Sequence, residues 1–303
     1  MNRDASLALM AAVASGALVA LQQRINGELA VSLDDAVLAA VVSFATGLVL
    51  VLVVVSARPA ARGKLALLRS LPWHLRLGGL GGASLVAAGA AAAPRIGVAL
   101  FTVGLVAGTT LGGLAVDVIG LGPGGHEPIT PPRLAGAGLG LLAIVASASH
   151  GLHAADPALL VAVVVAGSFV SFQQAVNGRV RAVTDATVAT LQNFVVGFVA
   201  LLAGLGLREL LVGVHAETWP GTGRWWLYLG GPIGASFVAV AAVIVKRLGV
   251  LRLGLAVTAG QLVGGILLDV GHGLVLSTVL GAGLAMAAVV VSGARPRAAV
   301  VPA

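Results

Sequence analysis

"ALQQRINGEL" occupies Ala20–Leu29, and "SFQQAVNGRV" occupies Ser171–Val180. Each contains Gln-Gln-x-x-Asn-Gly, and Gln22 and Gln173 stand 151 residues apart in a chain of 303. The same polar phrase half a chain apart points to a duplicated unit. The match extends outward in one order. "LGGLGGAS" from Leu77 pairs with "LGGPIGAS" from Leu229, and Arg95-Ile96-Gly97-Val98 pairs with Arg247-Leu248-Gly249-Val250. "GTTLGGLAVDV" from Gly108 pairs with "GQLVGGILLDV" from Gly260, and "GAGL" recurs at Gly136 and Gly281. The nearly constant offset divides the chain into a first unit, 1–150, and a second, 151–303.

The composition fixes the medium. Hydrophobic residues make up 58% of the chain, charged residues only 10%, and the mean hydropathy is +1.05. A soluble domain carries about 25% charged residues, so this chain cannot clothe a water-facing surface. Ten apolar runs, each near the roughly 20 residues a spanning helix needs, are read at 5–25, 36–56, 75–93, 97–119, 133–149, 157–178, 187–207, 225–245, 250–270 and 275–292. Pro, Gly and charge clusters separate them, as in "ARPAARGK", "GPGGHEP" and "HAADP". They are longer than barrel strands and do not alternate, which selects helices. The expected fold is an all-α polytopic membrane protein of ten transmembrane helices. The first run is read as a helix rather than a cleaved leader, because its pattern recurs in the interior at Pro157–Gly178.

Five helices per unit is an odd number, so the second unit enters the membrane from the opposite side. Inverted five-helix repeats are characteristic of secondary transporters. The basic residues orient them. With the N-terminus inside, fourteen Lys and Arg fall on the cytoplasmic side, five of them between Arg58 and Arg76. Arg24, Arg95, Arg208 and Arg224 fall outside. That asymmetry places both termini in the cytoplasm. It also accounts for the net charge of +7 and pI near 11.4 without nucleic acid. The absence of cysteine removes disulfides and thiolate metal sites.

Gln22-x-x-x-Asn26, Gln173-x-x-x-Asn177, the "SFATG" of the second helix and the Gly-rich segment ending in Asp resemble the bacterial YdcZ-like family. That family belongs to the drug/metabolite transporter superfamily, beside the EamA-type permeases and the small multidrug resistance proteins. The resemblance covers the whole chain as two tandem copies. It implies a ten-helix permease of the bacterial inner membrane, without a substrate. The copies differ where Thr109 stands opposite the family-like Gln261 and "NFVVG" opposite "SFATG". The first helix also lacks the central carboxylate that small multidrug resistance proteins use for proton exchange.

Four residues apart, Gln and Asn share one helical face, and their amides need partners inside a bilayer. Either they bond neighbouring helices, at about 0.6–2 kcal/mol per bond, or they line a solute pathway; the two roles are compatible. At 1.5 Å per residue, Gln22 lies roughly 22 Å from the cytoplasmic end, so inversion places Gln173 in the opposite leaflet, a pair suited to two gates. Gln192, Asn193, Thr109 and Gln261 form a second tier of pathway candidates. Asp117 and Asp269 are candidate coupling carboxylates, with a solvated or helix-bonded carboxylate as the alternative. Asp34, Asp35 and Asp185 read as helix-opening residues. His150 and His153 lack a companion carboxylate set, so no metal and no cofactor is expected, and "GGLGGAS" lacks the ending of a phosphate loop. Its glycines, with Gly104, Gly108 and Gly112, should permit close helix contact.

The expected function is a secondary transporter moving a small metabolite or drug-like solute by alternating access. A proton gradient is a candidate energy source. The partners are the solute and membrane lipid, and monomer and homodimer both fit. An intramembrane enzyme would need a convergent nucleophile–base or metal set, and none is visible in the spans. A non-transporting assembly protein would have no use for symmetrically placed amides.

Overall fold

The structure is a computed structural model that describes residues 3–147, 157–212, 219, 221–269 and 276–294. Ten α-helices carry it: α1 (Arg3–Leu33), α2 (Ala36–Ala57), a short α3 (Pro59–Lys64), α4 (Leu80–Val118), α5 (Pro131–Ser147), α6 (Pro157–Val183), α7 (Ala186–Val212), α8 (Gly230–Leu248), α9 (Val250–Asp269) and α10 (Leu276–Ser292). No strand occurs among the described residues. The boundaries follow local chemistry. The Asp35 carboxylate accepts from the Val37 and Leu38 amides, each at 2.9 Å, and so opens α2. Asp185 opens α7 by accepting from Val188 at 3.0 Å. Prolines begin α3, α5 and α6, where the missing N–H costs nothing. Gly249, at φ +75°, makes the reversal between α8 and α9 that a side chain would strain.

The counterpart of that reversal lies inside α4. Helical backbone runs unbroken from Leu80 to Val118. Yet a Cβ on Gly81 would press on Phe169 and Gln173, and one on Gly112 would press on Ser168, all in α6. In a straight helix these glycines would stand about 46 Å apart. The chain must therefore double back within α4, and the described apolar stretches Leu80–Gly89 and Gly104–Val118 lie on its two arms. The separate expected runs 75–93 and 97–119 thus appear as two arms of one assigned helix.

Among the described residues, six helices are long and apolar enough to cross a membrane: α1, α2, α6, α7, α8 with its lead-in, and α9. Leu80–Gly89 and Gly104–Val118 of α4 and Val279–Ser292 of α10 are further apolar helical stretches among the described residues. The outward face of α2, with Val49, Leu50, Leu52 and Val53, is exposed apolar surface suited to lipid. All four tryptophans are exposed. Trp73 lies in the 3-10 segment before α4, and Trp225 and Trp226 lie in the one before α8. Their half-apolar rings suit a membrane interface.

The two units interlock rather than stand side by side. α1 runs parallel to α9, with Gly16 against Gly260 and Ala17 against Gly264. α6 runs parallel to the second arm of α4, with Gly167 against Gly108 and Ser168 against Gly112. At Gly108 a Cβ would collide with the Val164 carbonyl, and at Gly260 with that of Val13. These crossings exist because the backbones can touch. α2 and α7 run antiparallel. Arg208 at the end of α7 pairs with Asp35 at the start of α2, and Arg58 at the end of α2 donates to Thr187 at 3.1 Å. α5 and α10 are also antiparallel, with Gly136 against Ser292 and Gly140 near Ala288. The largest core cluster surrounds α9, where Leu251, Leu253 and Ala256 meet Ala12 of α1 and Ala288 of α10.

Candidate functional site

The repeated polar phrase faces the opposite unit. Gln22 and Asn26 of α1 lie against Gly234 and Gly230 of α8. Gln173 of α6 lies against Gly81 and Gly82 at the start of α4, and Asn177 against Gly78 just before it. The "LGG" and "GAS" glycines therefore serve as seats for amides. A Cβ on Gly230 would fall on Asn26 Oδ1, and one on Gly78 on Asn177 Oδ1.

The amides are not equally satisfied. Asn177 donates from Nδ2 to Asn193 Oδ1 of α7 at 2.9 Å, and both residues are buried. Gln192 donates to the Arg76 carbonyl at 2.8 Å. These two amides tie helices together. In contrast, Asn26 Oδ1, Gln173 Oε1 and Gln174 Oε1 are buried without a hydrogen-bond partner. Gln173 is only 7% exposed and Gln174 only 6%. A buried polar group left unpaired costs about 1–3 kcal/mol by mutational measures, and native proteins keep few of them. Gln22 is partly exposed beside Gly234. Thr109 donates to its own helix at Val106, 3.0 Å away, while its carbonyl accepts from Ser171 at 2.7 Å. Gln261 lies at the α1–α9 crossing, its backbone amide near Gly16.

Asp117 has a different setting. It is 3% exposed and accepts from the Val250 and Leu251 amides at 2.8 and 3.1 Å, capping α9 of the other unit. Arg133 of α5 donates to it at 2.6 Å and also pairs with Glu127. The carboxylate is thus fully engaged between helices. The side chain of Asp269 lies outside the described residues, as do His150, His153 and the side chain of Arg95.

Around the amides, Phe44 of α2 and Phe194 of α7 meet with ring centroids 5.1 Å apart and planes tilted by 35°. Beside them opens a cavity of about 620 Å³, walled by apolar residues such as Leu80, Ala83, Phe169 and Leu201, with Arg208 and Gly204 on its rim. Burial would raise the Asp35 carboxyl, but Arg208 and the Leu38 and Val37 amides outweigh it and hold it below the ordinary 3.8. Sequence reading missed the phenylalanine pair, the Arg208–Asp35 pair and the Arg133–Asp117 pair. Only the phenylalanines carried a signal, since "SF" and "NF" fall at matching positions of the two units.

Six described helices long and apolar enough to cross a bilayer, with lipid-suited outer faces, define an integral membrane protein. Residues 7–146 and 158–294 each match the family described as "Putative inner membrane exporter, YdcZ", so the chain belongs to the YdcZ family of the drug/metabolite transporter superfamily, as two tandem copies. No curated protein matches it. A solved structure titled only as the crystal structure of a protein is 22% identical and covers 97% of this chain and 97% of its own. Its TM-score of 0.67 marks a shared fold.

Proposed function

We propose that the protein is a secondary transporter that exports a small solute by alternating access between its two units, 1–150 and 151–303. One observation carries this reading. Buried amide oxygens on Asn26 and Gln173, equivalent faces of the two copies, lack protein partners at the boundary between the units. Amides that served only to tie helices would be bonded, as Asn177, Asn193 and Gln192 are. Unspent acceptors in a membrane interior are suited to a solute with hydrogen-bond donors. Gln22, Asn26 and Gln173 are assigned to the pathway, with Asn177, Gln192, Asn193, Thr109 and Gln261 as its supports.

The inverted ten-span arrangement is part of the proposal. It is supported by the antiparallel courses of the equivalent pairs α2/α7 and α5/α10 and by the placing of Trp73 and Trp225 before equivalent helices. The cluster of basic residues from Arg58 to Arg76 supports cytoplasmic termini. The three bonds to Asp117 support a holding role for it rather than direct proton exchange. If protons drive export, Asp269 becomes the candidate carboxylate.

The test is solute flux in proteoliposomes containing this protein alone, screened across metabolites and drug-like amines. Gln22→Leu and Gln173→Leu should each reduce flux with little change in thermal stability or membrane abundance. Full transport by a well-folded double Leu variant would refute the assignment.

A further inference from the structure

We propose that Phe44 and Phe194 form the gate of the pathway, and that the cavity beside Arg208 is its open vestibule; this rests on the transporter reading above. The two phenylalanines are equivalent positions of the two copies, so their contact lies where the units face each other. Each ring is seated on glycine. Phe44 presses on Gly82 and Gly197, and Phe194 presses on Gly47, with no room for a Cβ at any of the three.

The rings separate two unlike regions. On one side, Phe44 packs with Ala83 and Leu201, which also wall the cavity of about 620 Å³. On the other side, Phe44 and Phe194 join Val51, Val55, Ala235 and Val238 in a closed cluster. By the repeat offset, Ala235 and Val238 are the counterparts of Ala83 and Val86, and Val51 is the counterpart of Leu201. Val86 borders the cavity, whereas Val238 is buried at 6% exposure. Equivalent surfaces are thus open at the Arg208 end of α7 and shut at the Arg58 end of α2. An apolar constriction of two rings offers a polar solute no hydrogen bond and excludes water by dewetting. Transport would exchange the open and shut surfaces about the ring pair, so that the space between α2 and α8 opens as the present cavity closes.

The chain has no cysteine, which permits a direct test. A Cβ at Gly204 meets nothing within 4 Å, so Gly204→Cys should fold normally. In proteoliposomes it should react with a water-soluble, impermeant maleimide, while Val51→Cys should not. Phe44→Ala and Phe194→Ala should raise the glycerol permeability of the vesicles about tenfold, as an opened dewetted constriction requires. Phe44→Leu and Phe194→Leu, milder changes for the event that the alanine variants do not fold, should raise it severalfold. An unreactive Gly204→Cys, or folded leucine variants as tight as wild type, would overturn the proposal. Leaky phenylalanine variants in a protein that moves no solute in the metabolite screen would instead count against the transporter reading alone.

Discussion

Asn177 donates from Nδ2 to Asn193 Oδ1 at 2.9 Å, while Asn26, its counterpart in the first copy, has Ser43 where Asn193 would stand and a buried Oδ1 without a partner. Two copies of one motif have therefore taken different roles. Replacing Asn193 with Ala strands a buried amide on Asn177 and should lower stability by about 1–3 kcal/mol. Replacing Asn26 with Ala removes no bond from its oxygen and should change stability by less than half as much while reducing flux. Thermal unfolding in detergent checks the pair. Equal losses of stability would show that both asparagines serve packing.

Asp117 joins the units through α9, and its removal should be felt as a structural loss. Asp117→Asn would leave the largely buried Arg133 with only the exposed Glu127 as counter-charge and remove the acceptor of one of the two amide bonds at the start of α9. Breaking one member of a buried pair costs about 3–5 kcal/mol. Arg133→Met should cost a similar amount, and the double change less than the sum, since each single change already breaks the same pair. Additive effects would mean that the bond contributes little to the folded state.

Much of this architecture was legible in the sequence. The two copies, the helical class and most helix starts followed from repeat offset, apolar length and the Pro and Asp residues at the boundaries. The reversal at Gly249 was legible as a break, while its counterpart near Gly97 carries helical backbone throughout, so the third and fourth runs appear as one assigned helix. The site was legible only as a set of residues. Nothing local to Gln173 or Asn177 states which amide finds a partner, because the partner comes from another helix at a position fixed by glycine contacts. The ion pairs of Asp35 and Asp117 were hidden for the same reason: their partners, Arg208 and Arg133, approach through tertiary packing.

Asp35 and Asp185 should give the protein an acid limit. Burial opposes the charge of each, but Arg208 with two amides at Asp35, and the Val188 amide with Lys64 at Asp185, hold both carboxyls below the ordinary 3.8. A carboxyl lowered by folding stabilises the fold above its unfolded value and loses that contribution as pH falls through the folded value. The contribution of these two caps to the thermal midpoint should therefore be constant from pH 5 to 8 and decline below about pH 4. Asp35→Asn should lower the midpoint at neutral pH and reduce the decline in acid. A pH profile of the midpoint in detergent tests this, and an unchanged acid decline in that variant would remove Asp35 from the account.

The proposed orientation of the chain rests on the segment Ala57–Arg76. It includes the short α3 and two 3-10 turns, and it carries Arg58, Arg62, Lys64, Arg69 and Arg76, five of the eighteen basic residues. Such a concentration near the end of a membrane helix is retained on the cytoplasmic side. Lys64 is also tied to Asp185 at 3.3 Å, so this segment and the α6–α7 junction must share one face. Ala60 is exposed within it. A single cysteine at Ala60 should resist an impermeant thiol reagent applied to intact cells and react once the membrane is opened. A cysteine at exposed Gly221, which leads into α8 and falls on the opposite face in the proposed arrangement, should show the reverse. Labelling of Ala60→Cys from outside would invert the orientation, and labelling of both sites from the same side would remove the inverted arrangement of the units.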